Sequence, residues 1–260
     1  MLLRSTLSIL LAAASFPALA QSGITKLNPV SFSQVTITDN FWKPKLEKIA
    51  KTAVPVMIYQ TEIATGRIRN YEKVARQQKE KHEGIYYDDS DVYKALEAIA
   101  YSLKNHTDKA MEQKADEWIA KIAAAQEADG YINSFYSLTG LENRWTDMEK
   151  HEDYCAGHLM EAGVAYFQTT GKRKLLDVAI KMADHIDDTF RKQNRPWVSG
   201  HEEIELALVK LYKATSDKKY LELSDWFLDQ RGHGHGKGGI WDNPHWGPNY
   251  AQDDVPEKDQ

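Results

Sequence analysis

The chain has 260 residues, with 33 Lys and Arg against 38 Asp and Glu, for a net charge of −5. Its basic residues are spread out, which argues against a nucleic-acid or polybasic membrane partner. One cysteine excludes an intramolecular disulfide, so stability rests on a packed core supplied by seven tryptophans and thirteen tyrosines.

Residues 1–20, "MLLRSTLSILLAAASFPALA", combine Arg4, an apolar run and an Ala18-Leu19-Ala20 ending. That is the pattern of a secretory signal, and it predicts an exported, periplasmic or extracellular protein whose mature chain begins near Gln21. The apolar run is too short to span a bilayer, and no later segment is apolar enough to do so. A first helix is expected over "KPKLEKIAKTAVPVMIYQTEIATG", disturbed at Pro55 and ended by Gly66. The next is expected from Ser90 as N-cap through "DVYKALEAIAYSLK", where Val92, Ala95, Leu96, Ile99, Ala100 and Leu103 keep the 3.6-residue period. After "NHTD" a partner helix carries Met111, Ala115, Trp118, Ile119 and Ile122 and stops near Gly130.

The two-helix unit then recurs. One copy is "HEDYCAGHLMEAGVAYFQTT", Gly171, "KRKLLDVAIKMADHIDDTF"; the next is "GHEEIELALVKLYKATS" followed by "DKKYLELSDWFLDQRG". A repeat at roughly 43–45 residues indicates stacked helical hairpins. In the earlier copy the second helix is amphipathic, with Leu175, Ala179, Met182, Ile186 and Phe190 in one stripe. The first helix is apolar on both sides, which marks it as buried. Alternating buried and half-exposed helices predict an inner and an outer ring, an all-α (α/α)6-toroid of which about four of six hairpins are present. An open superhelical solenoid is the competing packing.

In a toroid the inner helices are parallel, so their N-termini share one rim with the longer loops. The loops expected there are 131–150 with Trp145, 191–200 with Trp197, and 232–250 with Trp241, Trp246 and Tyr250. The helix starts add Asp89, Asp91, His151 and His201. Long polar-aromatic loops on a rigid scaffold are where binding resides, so these residues are the candidate ligand contacts.

His151, Cys155 and His158 share an arc of about 60° on a helix, which raises the question of a metal. The first and last are about 10 Å apart along the axis, however, so one ion cannot join all three. Small neighbours make Cys155 a packing residue. The carboxylates of "DDSD" suit a helix N-terminus, and one of them can also reach a ligand hydroxyl. His233 and His235 lie in a glycine-rich loop without fixed geometry. No metal ligand set and no catalytic residue is assigned within the chain.

Several segments together resemble glycoside hydrolase family 127, the β-L-arabinofuranosidase family. They are "DDSDVYKALEAIAYSL", "AQEADGYINS", "HEDYCAGHLMEAGVAYFQTTGK" and "GHEEIELALVKLYKATSDKKYLELSDWFLDQRG". The resemblance implies an (α/α)6 barrel followed by β-sandwich domains. It also implies a retaining exo-hydrolase with a zinc-bound cysteine nucleophile, the zinc held by one glutamate and three cysteines, and a further glutamate as acid/base. By this resemblance His151 and His201 match pocket histidines that hold the sugar, and Asp89 and Asp91 fall in a motif near the pocket. The zinc ligands, nucleophile and acid/base are expected beyond Gln260. Residues 21–260 would then be the N-terminal part of a truncated catalytic domain, binding no zinc and inactive alone. The expected partner is an arabinofuranose-containing glycan. Two other readings stand beside it: another α/α-toroid enzyme such as an unsaturated-uronyl hydrolase with a catalytic Asp89 or Asp91, and a non-catalytic helical sugar-binding protein using Trp145 or Trp197.

Overall fold

The computed structural model describes residues 29–78, 80–235 and 256. The signal-type segment 1–20, Trp241, Trp246 and Tyr250 lie outside them. Among the described residues all regular structure is helical, and no helix is long and apolar enough to cross a membrane.

The first helical stretch, 42–64, alternates α1 (Trp42–Lys48) and α2 (Val54–Tyr59) with wider π-helical segments, Ile49–Ala53 and Gln60–Ala64. Pro55 sits near the start of α2, directly after the first π segment. The widened turn accommodates a residue that lacks an N–H and crowds the carbonyl behind it. Gly66 follows with φ of +64°, and α3 (Arg67–Ala75) turns back. This outer helix has no counterpart in the sequence reading.

The second hairpin is α4 (Asp89–Asn105) and α5 (Lys109–Ala124). α4 begins with Asp88 as its cap residue, two residues before the expected Ser90. The Asp88 carboxylate accepts from Ile85 N–H at 3.0 Å and pairs with Arg67 at 3.1 Å, so a turn runs straight into the helix. Asp108 caps α5 by accepting from the N–H groups of Ala110 and Met111. The segment 131–150 is more ordered than expected, holding α6 (Ser134–Thr139) and two 3-10 turns, Leu141–Asn143 and Met148–Lys150. The third hairpin is α7 (Glu152–Thr170) and α8 (Lys174–Thr189), and the fourth α9 (Ile204–Thr215) and α10 (Lys218–Gln230).

α4 packs on α7 and α7 on α9, forming the inner row, while outside α5 neighbours α3 on one side and α8 on the other. α7 is buried on nearly every side, from Glu152 to Tyr166. Two glycines let it sit that deep. A Cβ on Gly157 would lie 2.7 Å from Glu203 Cγ and 3.2 Å from Ile204 N. A Cβ on Gly163 would lie 3.2 Å from the Leu175 carbonyl oxygen. Trp118, Leu96, Ile99, Leu175, Ile186 and Phe227 fill the space between rows. Full burial of each such side chain contributes roughly 1.5–3 kcal/mol. The four hairpins make a partial α/α toroid whose inner-helix N-termini meet on one rim.

Candidate functional site

The rim brings His151 and His201 together. His151 is the cap residue of α7, in the left-handed region with φ of +59°. That geometry turns its ring back so that Nδ1 bonds the Glu149 carbonyl. His201 precedes α9, and its loop is fastened from α10. Arg231 donates to the Ser199 carbonyl at 3.1 Å and the His201 carbonyl at 3.4 Å, and pairs with buried Glu205 at 2.8 Å. The two imidazoles meet with Nε2 atoms 3.1 Å apart.

Aromatic rings wall the pair. Tyr86, Tyr87 and Tyr154 lie 5.7, 5.4 and 5.6 Å from His151, and Tyr154 lies 4.9 Å from His201. Further along the inner face, His158 Nδ1 and Glu203 Oε1 are 3.1 Å apart without hydrogen-bond alignment. Lys210 bonds Glu161. Burial pushes the Glu203 carboxyl up to about 7, and Glu161 and Glu97 add to the shift. Burial pushes His158 down to about 4, assisted by Lys94. His201 is lowered by burial and then by His151. The face offers imidazole nitrogens, an acid poised near neutrality and tilted or edge-on aromatic rings, which is chemistry for polar, uncharged hydroxyl ligands.

The other expected contacts are elsewhere. Asp89 is 2 % exposed, and its carboxylate accepts from Ser134 N–H at 2.7 Å and Ser134 Oγ at 2.6 Å, tying α4 to α6. Asp91 pairs with Arg67 at 3.0 Å. Trp145 and Trp197 are each 2 % exposed. Their indole N–H groups donate to His185 Nε2 at 3.0 Å and Asp153 Oδ2 at 2.9 Å. Expected as sugar contacts, both tryptophans are instead struts under the rim loops, because neither ring presents a face to solvent. Glu152 belongs to the same support: it accepts from Tyr131 OH at 2.5 Å and Trp145 N–H at 2.6 Å, and burial pushes it up to about 8.

Cys155 is buried with its sulfur 3.7 Å from the Tyr87 carbonyl, and desolvation pushes its thiol well above the ordinary range. Among the described residues no group of three or more His, Cys, Asp or Glu side chains could hold a metal ion. A thiolate–zinc centre does not fit these side chains. Tyr86, Tyr87, Tyr154, Lys94 and Glu203 were missed in the sequence, where His158 was weighed only as part of a metal site. Tyr154 and His158 carried a signal, lying three and seven residues after His151 on one helical face. A cavity of about 530 Å³ lies outside, between α3, α5 and α6, lined by Val74, Gln78, Gln126, Ser137 and Leu141. It contains no rim histidine, and the site is an open face of the inner row.

Parallel inner helices whose N-termini gather histidines and tyrosines define a protein of the α/α-toroid class, with a polar-aromatic site on the rim. Within that class the chain belongs to the family described as β-L-arabinofuranosidase, GH127 catalytic domain, which matches residues 34–260. The non-reducing end β-L-arabinofuranosidase of Bifidobacterium longum is 36% identical, over 76% of this chain and 34% of its own length. A crystal structure of a GH127 β-L-arabinofuranosidase from Geobacillus stearothermophilus T6 is similar with a TM-score of 0.80 and 37% identity. It is matched over 87% of this chain and 38% of that one. A second solved GH127 β-arabinofuranosidase gives 0.72 and 40%, over 78% of this chain and 34% of that one. The chain thus spans about a third of the length of these relatives.

Proposed function

We propose that this chain is the part of a glycoside hydrolase that forms one wall of its sugar pocket, with β-L-arabinofuranosides or related plant cell-wall sugars as substrates. The His151–His201 contact carries this reading: two imidazoles at the starts of adjacent inner helices, 3.1 Å apart and walled by three tyrosines, form a compact set of hydrogen-bonding atoms beside aromatic rings. The family to which the chain belongs supports the substrate class. Retention through a zinc-bound cysteine stays part of the proposal for a longer protein, and no step of it runs through Cys155.

The uronyl-hydrolase alternative needs an aspartate free to reach substrate. Asp89 is engaged by both Ser134 donors and Asp91 by Arg67, which disfavours it. A non-catalytic sugar-binding role based on Trp145 or Trp197 is disfavoured by their burial. The test is an assay with an aryl β-L-arabinofuranoside and added zinc, comparing the 260-residue chain with a relative-length enzyme. Turnover is expected from the longer protein only, and turnover by the short chain would refute the assignment of bond cleavage to residues outside it. Export is proposed from residues 1–20, and N-terminal sequencing of the periplasmic or secreted protein is expected to begin near Gln21.

A further inference from the structure

The contact between the two histidines fixes where their protons sit. His151 Nδ1 faces the carbonyl oxygen of Glu149, an atom that can only accept. In neutral His151 the ring proton is therefore on Nδ1, and Nε2 is a bare acceptor. His201 Nε2, 3.1 Å away, must then carry the proton of the second ring. That leaves His201 Nδ1 as a lone pair.

Tyr154 and Lys94 hold this arrangement from behind. The Tyr154 ring lies 4.9 Å from His201, 5.6 Å from His151 and 4.5 Å from His158, touching all three imidazoles. Its hydroxyl accepts from Lys94 Nζ at 2.5 Å, and the same ammonium donates to Ser90 Oγ at 3.3 Å. Lys94 is on α4 and Tyr154 on α7, so the bond clamps the ring across the interface between two inner helices. A ring held at its hydroxyl restricts the rotation of the imidazoles packed against it, edge-on at His151 and His158 and tilted at His201.

We propose that Lys94 and Tyr154 are positioning residues that lock the His151–His201 pair in one tautomeric arrangement and present His201 Nδ1 as the acceptor for a neutral hydroxyl ligand. The identity of that ligand rests on the sugar-binding reading above; the locked tautomers do not. The charged and titratable groups facing His201 come from every neighbouring element. They are His151 at the cap of α7, Asp153, Tyr154 and His158 of α7, Lys94 of α4, Glu202 next to His201 in the chain, and Arg231 at the end of α10. His151 and Lys94 disfavour the imidazolium, whereas Asp153 and Glu202 favour it.

The test uses the 260-residue chain with 15N-labelled histidine, read by long-range proton–nitrogen correlation spectra through about pH 5 to 8. In the unaltered chain His151 is expected to be protonated on Nδ1 and His201 on Nε2, each as a single tautomer. Lys94→Met is expected to give mixed tautomers at His201 and an upward shift of the His201 and His158 midpoints by a few tenths of a pH unit, roughly. Lys94→Arg is expected to restore the single pattern. Tyr154→Phe keeps the ring and removes the hydroxyl, so it reads the same clamp if Lys94→Met fails to fold. Urea unfolding midpoints separate loss of the clamp from loss of the fold. An unaltered chain with His201 protonated on Nδ1 overturns the proposal, as do unchanged tautomers in both Lys94→Met and Tyr154→Phe. If L-arabinose leaves the His201 resonances unmoved while the tautomers respond to the substitutions, the sugar reading fails and the clamp stands.

Discussion

At the residue scale, two kinds of buried polar group define the rim: those that carry it and those that face a ligand. Trp145 and Trp197 belong to the first kind, each with its indole N–H satisfied in the interior. Trp197→Phe is expected to lower stability by about 1–2 kcal/mol through the unpaired Asp153 oxygen, with sugar affinity changed only as far as the loop loosens. Parallel thermal melts and sugar titrations would check both halves. Glu152 has a pH signature. Its folded value is raised to about 8 from an ordinary 4.5, so the folded state holds its proton more tightly. The associated stability is present in full below the unfolded value and is lost as pH rises from about 4.5 through 8. Glu152→Gln is expected to flatten that decline, recovering about 1–4 kcal/mol at pH 8 or above, as measured by urea unfolding across pH.

At the element scale, the site depends on how closely α7 approaches α9 and how firmly α10 holds the loop between them. Gly157→Ala would place a methyl 2.7 Å from Glu203 Cγ and 3.2 Å from the Ile204 nitrogen. Because backbone as well as side chain must move, a loss of about 1–3 kcal/mol is expected, with a shifted His201 environment. Arg231→Met would strand buried Glu205 and free the Ser199 and His201 carbonyls, at about 3–5 kcal/mol in denaturant unfolding. These contacts also show why α3 escaped the sequence reading. Asn70 and Lys73 interrupt its apolar face yet are buried. Asn70 exchanges two backbone bonds with Glu83, and Lys73 reaches the Lys81 carbonyl and the Glu83 carboxylate. A periodicity test counts such residues as exposed, because their partners lie up to 13 positions away.

At the scale of the molecule, the inner row exposes apolar side chains at both of its ends among the described residues. The helical stretch 42–64 packs on α4 with one side and exposes Trp42, Ile49, Val56, Tyr59 and Ile63 on the other. Leu206 is exposed at the α9 edge. A patch of this kind promotes association, so the 260-residue chain is expected to self-associate with rising concentration. Ile49→Lys with Ile63→Lys is expected to reduce that association in sedimentation velocity without lowering the melting temperature. Unchanged association would show that this face is not the contact.

The hairpin order, the buried character of α7 and the placing of His151 and His201 on one rim could be read from the sequence. Each follows from local information: helical period, cap residues such as Asp108 and Gly171, and a repeat that places equivalent helix starts side by side. The roles of Asp89, Trp145 and Trp197 could not. A carboxylate or an indole looks the same in sequence whether it meets a ligand or a neighbour, and here Ser134, His185 and Asp153 are the neighbours. The Lys94–Tyr154 clamp was hidden for the same reason, since its partners are 60 residues apart. The sequence by itself determined the helices and which of their starts share a rim, because period and capping are short-range. Only the tertiary structure decided which rim groups face outward, because that depends on contacts between helices distant in the chain.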